Sequence, residues 1–435
     1  MRGLLVDLTP LRTSRDYRHI WYGGALTGMA NSLSAMAVGL QVYDLTGDTL
    51  AVGVVGFASL VPLVAFGLYG GSIVDAHDRR KVLLATIAGL VAVATTLTLL
   101  SVTGTATVAL LYALVAIQSG LYAVHQPARS AVIPRLVSAR LIPAAAALGS
   151  LAMGISLMVG PLFAGFLVDF GGYGLAYSAQ LALLAAAVVL LFTLPSLLPE
   201  GEPTRAGMRS VLEGLRYLKT RPTLGMTFLV DIFAMVLAMP RVLFPAVGVV
   251  ILGGDSRTAG ILASAIAAGS LLGGIFSGRI GRIDRQGRAI VVAVAFWGLF
   301  ITAFGVVLTI APGPPPGGNP HPLIWPAAIF LGLAGFSDTV SAIFRSTILQ
   351  VATPDAYRGR LQGVFTVVVA GGPHLGALVL GSFASRFGED WAAIVGGILC
   401  TVAVVVVALL QKGLLAYDAR EPGAEERRAG LAQAT

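Results

Sequence analysis

Gly160–Pro161–Leu162–Phe163–Ala164–Gly165 stands inside one apolar run, and 212 residues later Gly372–Pro373–His374–Leu375–Gly376 stands inside another. Glycines let two helices approach closely, and a proline bends the helix that carries it. Two further pairs flank this one. Asp75–Ala76–His77–Asp78–Arg79 has a counterpart 209 residues on, Asp284–Arg285–Gln286–Gly287–Arg288. Arg129–Ser130–Ala131–Val132–Ile133 has one at an offset of 216, Arg345–Ser346–Thr347–Ile348–Leu349. Three matches in the same order, in the same orientation and at nearly one offset imply a parallel internal duplication.

The medium for that duplication follows from composition. Of 435 residues, 56% are hydrophobic and 11% charged, whereas soluble domains carry roughly 25% charged residues. Disorder needs a polar, charge-rich chain and is excluded. A disulfide scaffold is excluded by a single cysteine, Cys400. The 29 basic residues outnumber the 21 acidic ones, but they are dispersed, so no nucleic-acid partner is expected. A transmembrane helix takes about 20 apolar residues. Twelve such stretches read at about 19–43, 50–74, 82–102, 106–126, 142–168, 175–194, 224–250, 258–280, 289–311, 323–348, 362–385 and 391–411. The expected fold is all-α: twelve transmembrane helices in two pseudo-symmetric six-helix bundles.

With both termini placed in the cytoplasm, 26 of the 29 basic residues fall on the cytoplasmic side, and only Arg241, Arg257 and Arg386 do not. The positive-inside rule therefore predicts an even number of spans with both ends inside the cell, in the inner membrane. The organisation expected is a cytoplasmic segment 1–18, a six-helix bundle 19–194, a cytoplasmic linker 195–222, a second bundle 223–412 and a tail 413–435. Within the linker, Leu212, Leu215 and Leu218 recur at helical spacing and predict an amphipathic helix on the inner surface. The proline-rich stretch 311–322 reads as a stiff outer connection.

On these motifs the chain resembles the major facilitator superfamily. Gly71–Ser72–Ile73–Val74–Asp75–Ala76–His77–Asp78–Arg79–Arg80 is similar to its signature loop after span two, with Ala76 and Asp78 departing from the pattern. Pro127–Ala128–Arg129–Ser130, Glu213–Gly214–Leu215–Arg216–Tyr217, Met239–Pro240–Arg241–Val242–Leu243–Phe244–Pro245 and Pro354–Asp355–Ala356–Tyr357–Arg358–Gly359–Arg360 look like the enterobactin-exporter branch, which also holds drug-efflux proteins. The resemblance implies a conformational latch from Gly71, Asp75, Arg79, Arg80, Asp284, Arg285 and Arg288. It latches the cytoplasmic face in the outward-open state. Gly160, Pro161 and Gly165 resemble a fifth-span motif of exporters that exchange substrate for protons.

Ionisable residues inside spans are rare and usually functional. Asp231 and Arg241 lie in span seven, Asp338 in span ten and His374 in span eleven. Asp231 and Arg241 are about 280° apart around a straight helix and about 15 Å along it, so they are not expected to pair. Asp338 and Arg345, seven apart, share a face. A carboxylate in a low-dielectric medium can gain and lose a proton near neutral pH. Asp231, then Asp338 and His374, are the proton-coupling candidates. Asn31, Gln41, Gln118 and Arg241 are candidates for lining a substrate cavity, with the alternative that the amides only join helices. No Walker lysine motif, metal-ligand spacing or catalytic constellation is visible, so neither enzymatic activity nor a cofactor is expected.

These readings predict a monomeric secondary exporter of a small amphiphile, siderophore or drug-like, driven by proton antiport through alternating access. Its partners would be the cargo, protons and membrane lipids. The alternatives are a uniporter or importer of a polar nutrient or lipid-like solute, and a non-transporting receptor.

Overall fold

The computed structural model describes residues 7–196, 221–280, 283–311, 321–352 and 355–411, with isolated positions at 198, 213, 216–218, 413, 415 and 417. The predicted linker helix therefore falls mostly outside the described residues, as do nearly all of the tail and positions 312–320. After a short helix, Thr9–Thr13, come α1 (Arg15–Thr46), α2 (Thr49–Ala76), α3 (Arg79–Val102) and α4 (Val108–Leu136). Short polar caps set these boundaries. The Ser14 hydroxyl accepts from the Tyr17 N–H at 3.1 Å, the Asp48 carboxylate from Leu50 N–H at 2.9 Å and that of Asp78 from Arg80 N–H at 3.0 Å. Gly47, at φ 65, turns α1 into α2 in a left-handed conformation that glycine adopts without strain.

Ile142–Phe192 runs as one helix of 51 residues except at Gly171 and Gly172, where φ is −148 and 73. The break divides it into α5 and α6. The second half comprises α7 (Pro222–Leu237), α8 (Ser256–Ile275), α9 (Gln286–Thr309), α10 (Ile324–Ala352), α11 (Asp355–Phe387) and α12 (Glu389–Leu410). Among the described residues, twelve long helices thus match the twelve predicted stretches. Ten helical segments among the described residues are long and apolar enough to cross a membrane. One of these holds both α5 and α6. The remaining helix, α1, is diluted by Asn31, Ser32, Ser34 and Gln41.

Span seven departs from a simple helix. After α7 the chain passes through a 3₁₀ turn, Pro240–Leu243, a short helix, Phe244–Ala246, and a π turn, Val247–Ile251. Pro240 and Pro245 have no N–H to give to an α-helical ladder, which accounts for the interruption. Irregular backbone at membrane depth survives only where protein or a water-filled cavity surrounds it.

The side on which α1 begins and α12 ends is here the terminal side, and the opposite one the far side. The two halves meet along α5 with α8 and along α2 with α11. Both seams are backbone-close on the far side. A Cβ on Gly260 would lie 2.6 Å from the Pro161 carbonyl oxygen, and one on Gly53 would lie 2.6 Å from that of Ala377. Gly165 faces Ser256 and Arg257 just as tightly, and Gly381 faces Thr49 and Gly53. Polar clasps cross the same edge: Arg257 pairs with Asp169 at 3.0 Å, and the Thr49 hydroxyl donates to Glu389 at 2.6 Å.

Toward the terminal side the seams part. On α2 the face that meets α11 through Gly53, Gly56 and Leu60 next presents Gly67, where a Cβ would meet nothing within 4 Å. On α5 the seam still reaches Gly154, which faces Leu271 of α8, and beyond it Ala147 and Ser150 on the same face are exposed. Among the described residues the closest backbone contacts between the halves lie on the far side.

A branched side chain in the closed seam would wedge it. Gly260→Val is expected to speed the reaction of a water-soluble maleimide with a Leu162→Cys reporter several-fold, in a Cys400→Ala background. An unchanged labelling rate would show that the seam is not a tight contact in the membrane.

Candidate functional site

The second bundle brings three charges together, two of them buried. Asp231 comes from α7, and Asp338 and Arg345 from one face of α10, two turns apart. Arg345 forms an ion pair with Asp231, and its Nη2 donates to Asp338 Oδ1 at 3.3 Å. Asp231 and Arg345 are buried, whereas the Asp338 side chain keeps 31% of its surface open. One guanidinium thus serves two carboxylates of unequal access. Asp231 Oδ2 and Ser341 Oγ have no hydrogen-bond partner among the described residues. Acceptor capacity therefore remains inside the cluster.

Arg345 is the residue that sequence reasoning undervalued. Its helical spacing to Asp338 was legible; its pairing with Asp231 needed the α7–α10 juxtaposition, which no local pattern encodes. As expected, Asp231 and Arg241 do not pair. Arg241 stands exposed at the break in span seven, close enough for its charge to act on Asp338 and His374. His374 is half-buried on α11, and its carbonyl oxygen would lie 2.9 Å from a Cβ on Gly56 of α2. It sits at the seam between the halves, near Arg241 and away from the Asp231–Arg345 pair.

The amides of the first bundle have another job. Gln118 accepts from the Ser34 hydroxyl at 3.2 Å and from Gln180 Nε2 at 3.3 Å, and it donates to Asn31 Oδ1 at 3.1 Å. Gln41 donates to Ser101 Oγ at 3.1 Å and accepts from the Tyr177 hydroxyl at 2.8 Å. Gln41 and Gln118 are buried, and their capacity goes into joining α1 to α3, α4 and α6. These two are helix joints rather than an open wall; Asn31, half-buried, is the more accessible member.

In the signature loop, Asp78 caps α3 and its Oδ2 accepts from Ser196 Oγ at 2.6 Å. Arg79 donates to the Ala131 carbonyl at 2.9 Å, and Arg80 donates to that of Phe192 at 2.7 Å while lying over its ring. These bonds run to residues of the first half and to Ser196 just beyond it. Asp75 is half-buried, and Gly71 is helical. In the second copy Asp284, Arg285 and Arg288 are exposed at the start of α9. Gly160 backs onto α1, where a Cβ would lie 2.6 Å from Ser32 Cβ, while Pro161 and Gly165 form the seam with α8.

Twelve helices in two alike halves, parted on one side around buried charges, define a membrane transporter of the major facilitator type. Among solved structures, a mutant of the nucleoside transporter NupG matches with a TM-score of 0.71 at 12% identity, covering 91% of this chain and 99% of that one. A D-xylose–proton symporter matches with 0.67 at 12% identity, over 90% and 96%. At the level of sequence, the model of a family described as transmembrane secretion effector matches residues 6–427. This chain therefore belongs to that family of the major facilitator superfamily, whose members are transporters and not enzymes. Its relatives include the enterobactin exporter EntS of Citrobacter koseri, 26% identical over 416 residues and 94% of each chain. EntS of Escherichia coli O1:K1 is 25% identical over 417 residues, covering 93% of this chain and 94% of that one.

The two kinds of polar residue should separate in stability measurements. Asp231→Ala strands a buried arginine with only its weaker partner and is expected to cost about 3 kcal/mol. Gln118→Leu leaves three polar neighbours short of a bond and should cost about 2 kcal/mol. Asp338→Asn, at the more open position, should shift the melting temperature in detergent least of the three.

Proposed function

We propose that this transporter exports a small amphiphile from the cytoplasm in exchange for protons, by alternating access. The observation that carries the reading is the sharing of Arg345 by two carboxylates of unequal access within a transporter bundle. Asp338 is the open partner and holds Arg345 through a single bond at 3.3 Å. It takes the proton, and the Arg345 charge then falls to Asp231 alone. This reverses the order in which the sequence ranks the two acids, because close pairing ties Asp231 to Arg345. A proton that changes which carboxylate holds an α10 arginine alters the α7–α10 contact, and α7 adjoins α11 at the seam. That is a route from protonation to rocking.

The basic residues assign the terminal side to the cytoplasm, since 26 of 29 fall there with both ends. On that assignment the state described is inward-open, ready to receive cargo from the cell. Direction is further supported by the family's description as a secretion effector and by relatives named as enterobactin exporters. The glycine-lined seams and apolar spans suit a bulky, partly hydrophobic cargo, and enterobactin is the first compound to test. A single chain holds both halves, so a monomer suffices, with lipids around it.

Proteoliposomes preloaded with enterobactin provide the test. Acidifying the outside should accelerate efflux several-fold, and Asp338→Asn should abolish the acceleration while exchange at equal pH continues. Wild-type flux indifferent to the gradient would defeat antiport and favour uniport.

A further inference from the structure

The duplication is broken at one point. Asp338 and Arg345 on α10 correspond, at the offset of 216, to Tyr122 and Arg129 on α4. The arginine is repeated; its acid is not. The Asp231 position has no acidic equivalent either, because residues 19–43 of span one contain no Asp or Glu. The structure bears this out at the level of contacts. Arg129 has no ion pair or hydrogen bond among the described residues, and its Nε is buried without a partner. Its charge acts on Tyr17, Tyr122 and His125.

The site is nevertheless built. The guanidinium packs against Gly24 of α1, where a Cβ would lie 3.0 Å from its central carbon and closer still to Nη1. One side chain larger than glycine there would displace it. Tyr122, Gln126 and Arg129 share one face of α4 at helical spacing, and Gln126 Nε2 donates to the Tyr122 hydroxyl at 3.1 Å. This face is about 160° from Ala113 and about 120° from Ile117, which are exposed. It turns away from the membrane and toward α1, on the half of the bundle where the seams part. Of Arg129, Arg241 and Arg345, only Arg345 is paired with acids among the described residues, leaving the other two with positive charge to offer.

We propose that Arg129, seated on Gly24, with Tyr122 and Gln126 beside it, binds an anionic oxygen group of the cargo, so the transported class is an amphiphile bearing one acidic group. The inference rests on the export reading and names its substrate chemistry. Charge-assisted bonds from a guanidinium to such a group are among the strong ones. A lipid headgroup offers the same chemistry, and the experiment must tell the two apart.

The probes are 1-naphthoate and its neutral isostere 1-naphthamide, titrated calorimetrically against the full chain in a non-ionic detergent. The wild type is expected to bind naphthoate about tenfold more tightly. Arg129→Gln should reduce the preference to about one, and Arg129→Lys should restore part of it. If Arg129→Gln fails to fold, Gly24→Ala, which pushes the guanidinium off its seat, should also lose the preference. Equal binding of both probes by the wild type, or a preference that survives Arg129→Gln, would overturn the proposal. In phosphatidylcholine nanodiscs, a phosphatidylglycerol-induced rise in melting temperature that depends on Arg129, with no naphthoate preference, would assign the site to lipid and overturn it too. Gradient-driven enterobactin flux is read separately. Its loss with the preference intact would sink antiport and leave the anion site standing.

Discussion

Apolar helices surrounded by acyl chains gain nothing by hiding apolar surface from one another, so contact between them depends on shape and on hydrogen bonds. In this protein the shape is supplied by backbone approaching backbone. Gly260 against Pro161 and Gly53 against Ala377 bring the two halves together with no side chain between them. The same device sets α5 on α1 through Gly160 and α11 on α7 through Gly372 and Gly376. Each of these helices therefore has one flat side for its own half and another for the opposite half. Such contacts carry little energy individually and can be exchanged for others, which a rocking transporter requires.

Polar groups then divide the work unequally between the halves. In the first, amides and hydroxyls cross-link α1 to α3, α4 and α6, and each bond is satisfied by neutral partners. In the second, the cross-link between α7 and α10 is ionic. A neutral network is indifferent to protons, whereas a charged one is not. One half is thus held by neutral bonds and the other by an ionic one, although the two halves repeat one pattern.

The fold was largely legible in the sequence, because span length, glycine–proline repeats and the distribution of arginines are local or periodic signals. Span seven was not. Its run of apolar residues reads as one helix, and only Met239–Pro240 and Pro245 hint that the ladder breaks and leaves Arg241 in the open. The candidate site was legible by residue type but not by pairing. Asp231 and Arg345 are 114 residues apart in the chain, and their meeting depends on how α7 lies against α10. Gln41 and Gln118 show the same limit from the other direction. A glutamine in a span looks alike whether it greets cargo or fastens two helices, and only its neighbours decide. Arg129 was quoted as half of a repeat, yet its lack of an acid is a property of its surroundings.

The corners beside the closed edge are abrupt. Gly47–Asp48 joins α1 to α2, Gly171–Gly172 joins α5 to α6, and Gly388 joins α11 to α12. At these three places there is too little chain to fold across an exit as a flap. At these three corners any mouth that forms is framed by helix ends, and its width there is a matter of tilt. At those corners selection by size would accordingly be a property of the lever arm, tuned by how far rigid rods lean.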